Sequence, residues 1–361
     1  MPPLTLRDRD AIITKEGLIF RVFGYSHPPT AYICDAEYAS ADIFKSADPR
    51  ALRNGGGSGK VFYKFYDDEG LNFVFKKYPQ YTVFHEMLKV KLVGINQPDI
   101  AMTRLPQQRL EDLASEEPAD KLHAATLHVL TVALERSGLE TEDFGVFGSM
   151  LHGFHHPDFS DIDFVVYGRV KNAKMREVLK ALYDERVSGF RNEFETDAAV
   201  KGKKWRFKNF TVPEFLWHQE RKLIYGLYSD LESGRTIKTE FEPVKNWCEI
   251  FSEYNPETQI VRKDWIRIKA RIVADADAPF IPSVYGIEPL EILSGSKIAL
   301  EAVRVVSYME EFRQQAQKDE TVIVEGSLEE VVSPKGSFYQ IALTYCPRYY
   351  EQVLKVVNST L

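Results

Sequence analysis

Through its first hundred positions the chain carries short apolar runs broken by turn residues, which is the pattern of strands. Leu18-Ile19-Phe20-Arg21-Val22-Phe23 follows a turn at Glu16-Gly17, and residues 8 to about 106 read as β-rich. Val61 to Tyr66 and Leu71 to Phe75 are separated by Asp67-Asp68-Glu69-Gly70, a hairpin signal. Residues 107 to 119 are polar and acidic, ending in Glu116-Glu117-Pro118, and read as a linker. The period then changes. From Ala119 to Ser137, Leu122, Thr126, Val129, Ala133 and Leu134 fall near helical spacing, and Gly138 supplies a stop. Ile162, Phe164 and Val166 alternate with Asp161, Asp163 and Val165 as in a strand, and Asn172 to Glu185 reads as a second helix with Met175, Val178, Leu179 and Leu182 apolar. Gly234-Arg235 turns into a strand over Thr236 to Val244. There Ile237, Thr239 and Phe241 share one face, and Lys238, Glu240 and Glu242 share the other.

The last hundred residues return to strands. Trp265 to Val273 alternates apolar with basic positions, Ser283 to Ile287 forms a second strand, and Ala299 to Gln315 mixes strand and helix signals. Thr321 to Val332 is a long strand bent at Gly326, and Ser337 to Leu343 is the last strand. Short strands with one glycine-bent strand predict a small barrel. Val324 to Glu329 is similar to the strand in OB-fold barrels where glycine permits a sharp coil. The expected organisation is α+β: a β-rich N-terminal domain at 1–106, a core at 107–262 with a mixed sheet and flanking helices, and an OB-like β domain at 263–361.

Composition sets few further bounds. The 361 residues are 44% hydrophobic and 12% aromatic, enough for real cores. The formal charge of -7 gives no general pull toward nucleic acid or an anionic membrane, so such binding must use local patches. Cys34, Cys248 and Cys346 form no metal spacing and no disulfide framework, which fits a reducing cytoplasm. The first ten residues do not read as a signal peptide, and no apolar run approaches a membrane span of about 20 residues.

The chemistry concentrates around Gly148. Gly145 to Phe147 delivers the chain to Gly148-Ser149; eleven residues later comes Asp161-Ile162-Asp163 at the head of a strand. Residues two apart on a strand share a face, roughly 6–7 Å from each other. Two carboxylates that close repel, and a divalent cation is the simplest offset. Gly148-Ser149 followed at this spacing by Asp161-Ile162-Asp163 resembles the signature of the polymerase-β-type nucleotidyltransferase superfamily, and the whole chain looks like a predicted nucleotidyltransferase of archaeal type. The resemblance implies that Gly148 and Ser149 hold the triphosphate of an NTP, and that Asp161 and Asp163 hold Mg²⁺ or Mn²⁺. It also implies a third carboxylate on a neighbouring strand. Glu240 is the first choice and Glu242 the second; the superfamily usually has Asp there, so Glu is a departure.

Other signals are less specific. Lys201 to Lys208 holds five basic residues in eight, with Trp205 and Phe207 between them. It reads equally as a lysine-protected edge strand or as a contact to nucleic acid or triphosphate, with bases stacking on Trp205. Lys204 and Arg221 are candidate phosphate contacts; a helix with a charged face explains Arg221 as well. Arg267, Lys269 and Arg271 form a second basic strip. Asn54 to Lys60 invites a phosphate-loop reading and fails it, because Asn54 takes the place of the first Gly and Val61 follows Lys60. It reads as a mobile loop. His152, His155 and His156 have no further Cys or His nearby and read as loop residues lining a phosphate pocket rather than as a zinc site. The expected activity is metal-dependent transfer of an NMP group from an NTP to an acceptor hydroxyl, on RNA or another polynucleotide. The alternative is a catalytically incomplete nucleotidyltransferase fold serving as an RNA-binding or assembly module.

Overall fold

The computed structural model describes residues 5–54, 60–185 and 189–357. These form two compact units. The first draws on 1–85, 91–191 and 224–252, and the second on 86–90, 192–223 and 253–361. Gly55 to Gly59, the centre of the glycine-rich stretch, lie outside the described residues.

The first unit begins with an eight-stranded sheet. Its strands are β1 (Ala11–Ile13), β2 (Leu18–Val22), β3 (Ala31–Ser40), β4 (Leu52–Arg53), β5 (Phe62–Lys64), β6 (Thr82–His85), β7 (Val90–Asn96) and β8 (Met102–Arg104). The order is β4-β5-β3-β2-β1-β8, with β7 pairing both β3 and β6. The expected β-rich segment is present, but not the hairpin at 61–75. Residues Glu69–Lys77 form helix α1 instead. The run Leu71 to Phe75 is too short for periodicity to separate strand from helix. What decides it is packing: Gly70 and Val74, one helical turn apart, are both buried. A Cβ on Gly70 would stand 2.6 Å from the Ala36 carbonyl oxygen, so the missing side chain lets the helix lie against β3.

The expected linker is also a helix. Helix α2 (Pro106–Ser115) hides two buried leucines, Leu110 and Leu113, among polar residues. Pro106 occupies its first turn, where no N–H is needed. Helix α3 (Lys121–Ser137) follows as expected, capped by Asp120 and ended by Gly138 in the left-handed region at φ 59°. Then come β9 (Phe144–Val146), α4 (Gly148–His152), β10 (Ile162–Tyr167), α5 (Arg169–Asp184), β11 (Phe190–Asn192), β12 (Tyr225–Asp230) and β13 (Arg235–Val244). The second sheet has the order β11-β12-β13-β10-β9, with β10 and β13 parallel.

Strand β10 is covered on both sides. Ile162, Phe164 and Val166 pack with Leu130, Met175, Leu179 and Leu182 of the helices. Val165 and Tyr167, with Val244 of β13, join Ala11, Ile19 and Tyr38 of the first sheet in one apolar cluster. A buried ion pair crosses the same face: Arg9 Nη2 lies 2.8 Å from Glu242 Oε2, with 1% and 4% of the side chains exposed.

The second unit holds α6 (Val212–Glu220), β14 (Gln259–Asp277), β15 (Ser283–Ser294), β16 (Ala302–Ser307), β17 (Thr321–Ser333), β18 (Gly336–Leu343) and β19 (Val353–Val356). Its sheet runs β14-β15-β16-β18-β17-β19, and β14 also pairs β17, so the pairings of five strands close in a ring. Strands β16 and β18 are parallel. Gly326 lies where a Cβ would come within 2.8 Å of the Ala342 carbonyl oxygen. Lys201 to Lys208 is not an edge strand but turn and loop. Trp205 packs on the core of this unit, edge-on to Phe215, and its Nε1–H donates to the Phe210 carbonyl at 2.9 Å. No described helix is long and apolar enough to cross a membrane.

Replacing Arg9 by Met should destabilise the chain by about 3 kcal/mol, because the buried Glu242 loses its guanidinium. Adding Glu242→Gln should recover part of that loss. Urea unfolding of the single and double variants measures both.

Candidate active site

Strand β9 runs antiparallel to β10, and the pairing extends to the Phe147 N–H, which donates to the Asp163 carbonyl at 2.9 Å. The chain then turns through Gly148 at φ +62° into α4. A Cβ at Gly148 would strike Oδ2 of Asp163. Glycine is therefore required twice: for the left-handed backbone and for the carboxylate lying over its α-carbon. Ser149 follows in the first turn of α4 and is buried.

The parallel pairing sets the carboxylates. Asp163 is level with Glu240, and Val165 with Glu242. Of the two glutamates considered for the third carboxylate, Glu240 is the one beside Asp163, and Glu242 is engaged by Arg9. Asp161 directly precedes β10 and its charge reaches Asp163. Burial, then Glu240, then Asp161 push the Asp163 carboxyl well above its ordinary range, against Lys64 and Lys238. The Asp161 carboxyl is raised as well, by burial, against Lys238, Lys64, Arg235 and Arg53.

These cations were not expected as site residues. Lys64 ends β5, almost a hundred residues before Asp163, and no local pattern links the two. Its ammonium is held above its ordinary range by Tyr38 and, to a smaller extent, by Glu37 and Asp163, against burial. Lys238 lies 2.5 Å from Glu240 Oε1; strand parity alone had put these two on one face. Arg235 donates to the carbonyls of Pro157 and Ser160, which anchors the segment leading into Asp161.

A divalent cation suits this donor set. Asp163 is desolvated among like charges, which a cation would offset. Among the described residues no three or more His, Cys, Asp or Glu side chains are grouped to hold a metal by themselves. Two aspartates completed by substrate phosphates are what Mg²⁺ commonly takes.

The remaining expected residues divide. Lys204 and Arg221 belong to the second unit. Lys204 is exposed, and Arg221 is paired with Glu320 at 2.6 Å and stacked on Trp217. The strip on β14 is largely matched by carboxylates, with Arg267 on Glu325 and Arg271 on Glu288. The three histidines do not line one pocket. His155 lies 2.9 Å from Asp120, His156 accepts from the Asp158 N–H, and His152 is buried beside Arg104.

Residues 129–222 match the family model described as nucleotidyltransferase domain. The match contains Gly148, Ser149, Asp161 and Asp163 and ends before β13. The whole chain is similar to the uncharacterized protein MJ1086 of Methanocaldococcus jannaschii, at 27% identity over 93% of this chain and 94% of that protein. No solved structure matches.

The raised Asp163 carboxyl has a consequence for stability. The folded chain binds protons more tightly there than the unfolded chain does, so metal-free stability should fall as pH rises from the ordinary carboxylate range toward neutrality. Asp163→Asn should flatten that slope and raise the metal-free melting temperature at neutral pH. Thermal melts in a chelator across pH measure both.

Proposed function

We propose that the protein is a metal-dependent nucleotidyltransferase that moves an NMP group from an NTP to an acceptor hydroxyl. The observation that carries the proposal is the alignment of Asp163 with Glu240 on neighbouring parallel strands, directly over Gly148. Asp161 and Asp163 would hold the divalent cations, which supply charge neutralisation at the phosphate oxygens. Gly148 and Ser149 would orient the β- and γ-phosphates through backbone N–H groups of the first turn of α4. Glu240, released from Lys238, would take the proton of the acceptor hydroxyl. The acceptor oxygen bonds to the α-phosphorus, the bond from that phosphorus to the bridging oxygen breaks, and pyrophosphate leaves with the electron pair. Lys64 and Lys238 would then face the charge that develops on the phosphates.

We further propose a polynucleotide acceptor, RNA before DNA. Its support is the exposed Lys201, Lys203 and Lys204 and the ring of five strands in the second unit, which suits an OB-like barrel. The pairing of Arg267 and Arg271 with carboxylates takes the β14 strip out of this role. The competing reading is a non-catalytic nucleotidyltransferase fold; the ion pair between Lys238 and Glu240 favours it.

Asp163→Asn should abolish Mg²⁺-dependent release of pyrophosphate from NTPs. Glu240→Gln should slow it at least tenfold, on the order of 1.4 kcal/mol in the barrier, and Glu242→Gln should change the rate less. Wild-type rates in both Asp163→Asn and Glu240→Gln would remove the catalytic proposal. For the acceptor, RNA binding should weaken steeply with salt. Replacing Lys201, Lys203 and Lys204 by Ala should reduce the slope of log K against log salt by up to about three contacts' worth. Filter binding across a salt series reads this directly, and no salt-dependent binding of RNA or single-stranded DNA would exclude a polynucleotide.

A further inference from the structure

Helix α4 has chemistry at both ends. At its C-terminal end, away from Gly148, lies a cavity of about 390 Å³ lined by Arg104, Arg109, Asp112, Leu151 and His152 among others. It lies wholly within the first unit. Two guanidinium groups share its wall. Among the described residues neither forms an ion pair with a carboxylate: Arg104 Nη1 donates to the His152 carbonyl at 2.8 Å, and Arg109 Nε reaches the Met150 carbonyl at 3.4 Å. Asp112 lines the same cavity, and among the described residues it pairs with neither. The two arginines repel, and Arg104 is shifted below its ordinary range by burial and by Arg109.

His152 adds a third group. It is 7% exposed, held edge-on by Tyr38 and face-on by Phe154. Its Nδ1 lies 3.2 Å from Arg104 Nη1. Arginine only donates, so Nδ1 accepts, and the proton of the neutral ring sits on Nε2. Burial and the neighbouring Arg104 keep the ring neutral, with its pKa lowered to about 3. Nε2–H has no hydrogen-bond acceptor among the described residues. Two guanidinium groups on one cavity wall, neither paired to a carboxylate among the described residues, offer charged donors suited to an anion.

We propose that Arg104 and Arg109 form an anion site that takes a phosphoryl group, with His152 fixing the direction of Arg104. The planar donor forks of two arginines suit the oxygens of a phosphate or diphosphate, and the cavity is of a size to admit one with part of the molecule carrying it. The group is either the phosphate tail of a nucleotide or the phosphate of a separate ligand. The proposal stands on the cavity and not on the nucleotidyl-transfer reading.

The test is calorimetric titration of the full chain with inorganic pyrophosphate and, separately, with ATP, both in EDTA so that no divalent cation is present. Wild type should bind pyrophosphate. Arg109→Gln and Arg104→Gln should each weaken that binding at least tenfold while Asp161→Asn leaves it unchanged. Arg109 is partly exposed, so its variant should melt like wild type, which secures the test if Arg104→Gln fails to fold. Parallel weakening of ATP identifies the nucleotide tail as the occupant; weakening of pyrophosphate alone identifies a separate phosphorylated ligand. Wild-type affinity retained in Arg109→Gln, loss of binding in Asp161→Asn instead, or no binding by wild type at millimolar pyrophosphate would each overturn the proposal. Failure of the Asp163→Asn activity test would leave this result untouched, so the two proposals fall separately.

Discussion

Asp163 stands on the strand face that packs toward the N-terminal sheet, level with Glu240 and within the field of Asp161. Burial there disfavours its charge, and the two neighbours disfavour it further. Much of the surrounding structure answers that one electrostatic constraint. Gly148 leaves room for the carboxylate, Lys64 and Lys238 bring positive charge from two different sheets, and Arg235 holds the approach to Asp161. Carboxylates clustered this way gain from any positive charge brought near them.

The N-terminal sheet is part of this balance rather than an appendage. It contributes Tyr38 to the apolar cluster behind β10, Lys64 to the carboxylates, and Arg104 to the cavity at the far end of α4. Arg9, just before β1, neutralises Glu242. That pairing is what separates the two glutamates of β13: one is tied to a guanidinium, and the other is left beside Asp163. Helix α4, only five residues long, thus joins two charged sites of opposite sign. Carboxylates gather at its start and guanidinium groups at its end.

The second unit treats its charges differently. Arg221, Arg267, Arg271 and Lys208 each have a carboxylate partner within the unit, so these basic residues neutralise local acids. Exposed ion pairs of this kind add little stability, but they subtract from any attraction to a polyanion. The lysine turn at 201–204 is exposed and remains available for that purpose.

The elements with strong local signals were legible from residues alone. Helix α3 has helical spacing and a stopping Gly138, β10 and β13 alternate, and Gly148-Ser149 with Asp161 and Asp163 resembles a nucleotidyltransferase signature and lies inside the matched residues 129–222. Strand parity put Glu240 and Glu242 on one face but could not choose between them, because the choice depends on register with β10 and on Arg9. Leu71 to Phe75 and residues 106–115 went astray for one reason. Each is a short segment whose helical state rests on a few buried contacts, Gly70 on Ala36 and Leu110 with Leu113 in the core, that no local pattern records. Lys64 and the arginine pair were out of reach for the same reason. Sequence spacing determines which residues share an element, whereas which charges share a cavity is decided only when separate elements pack.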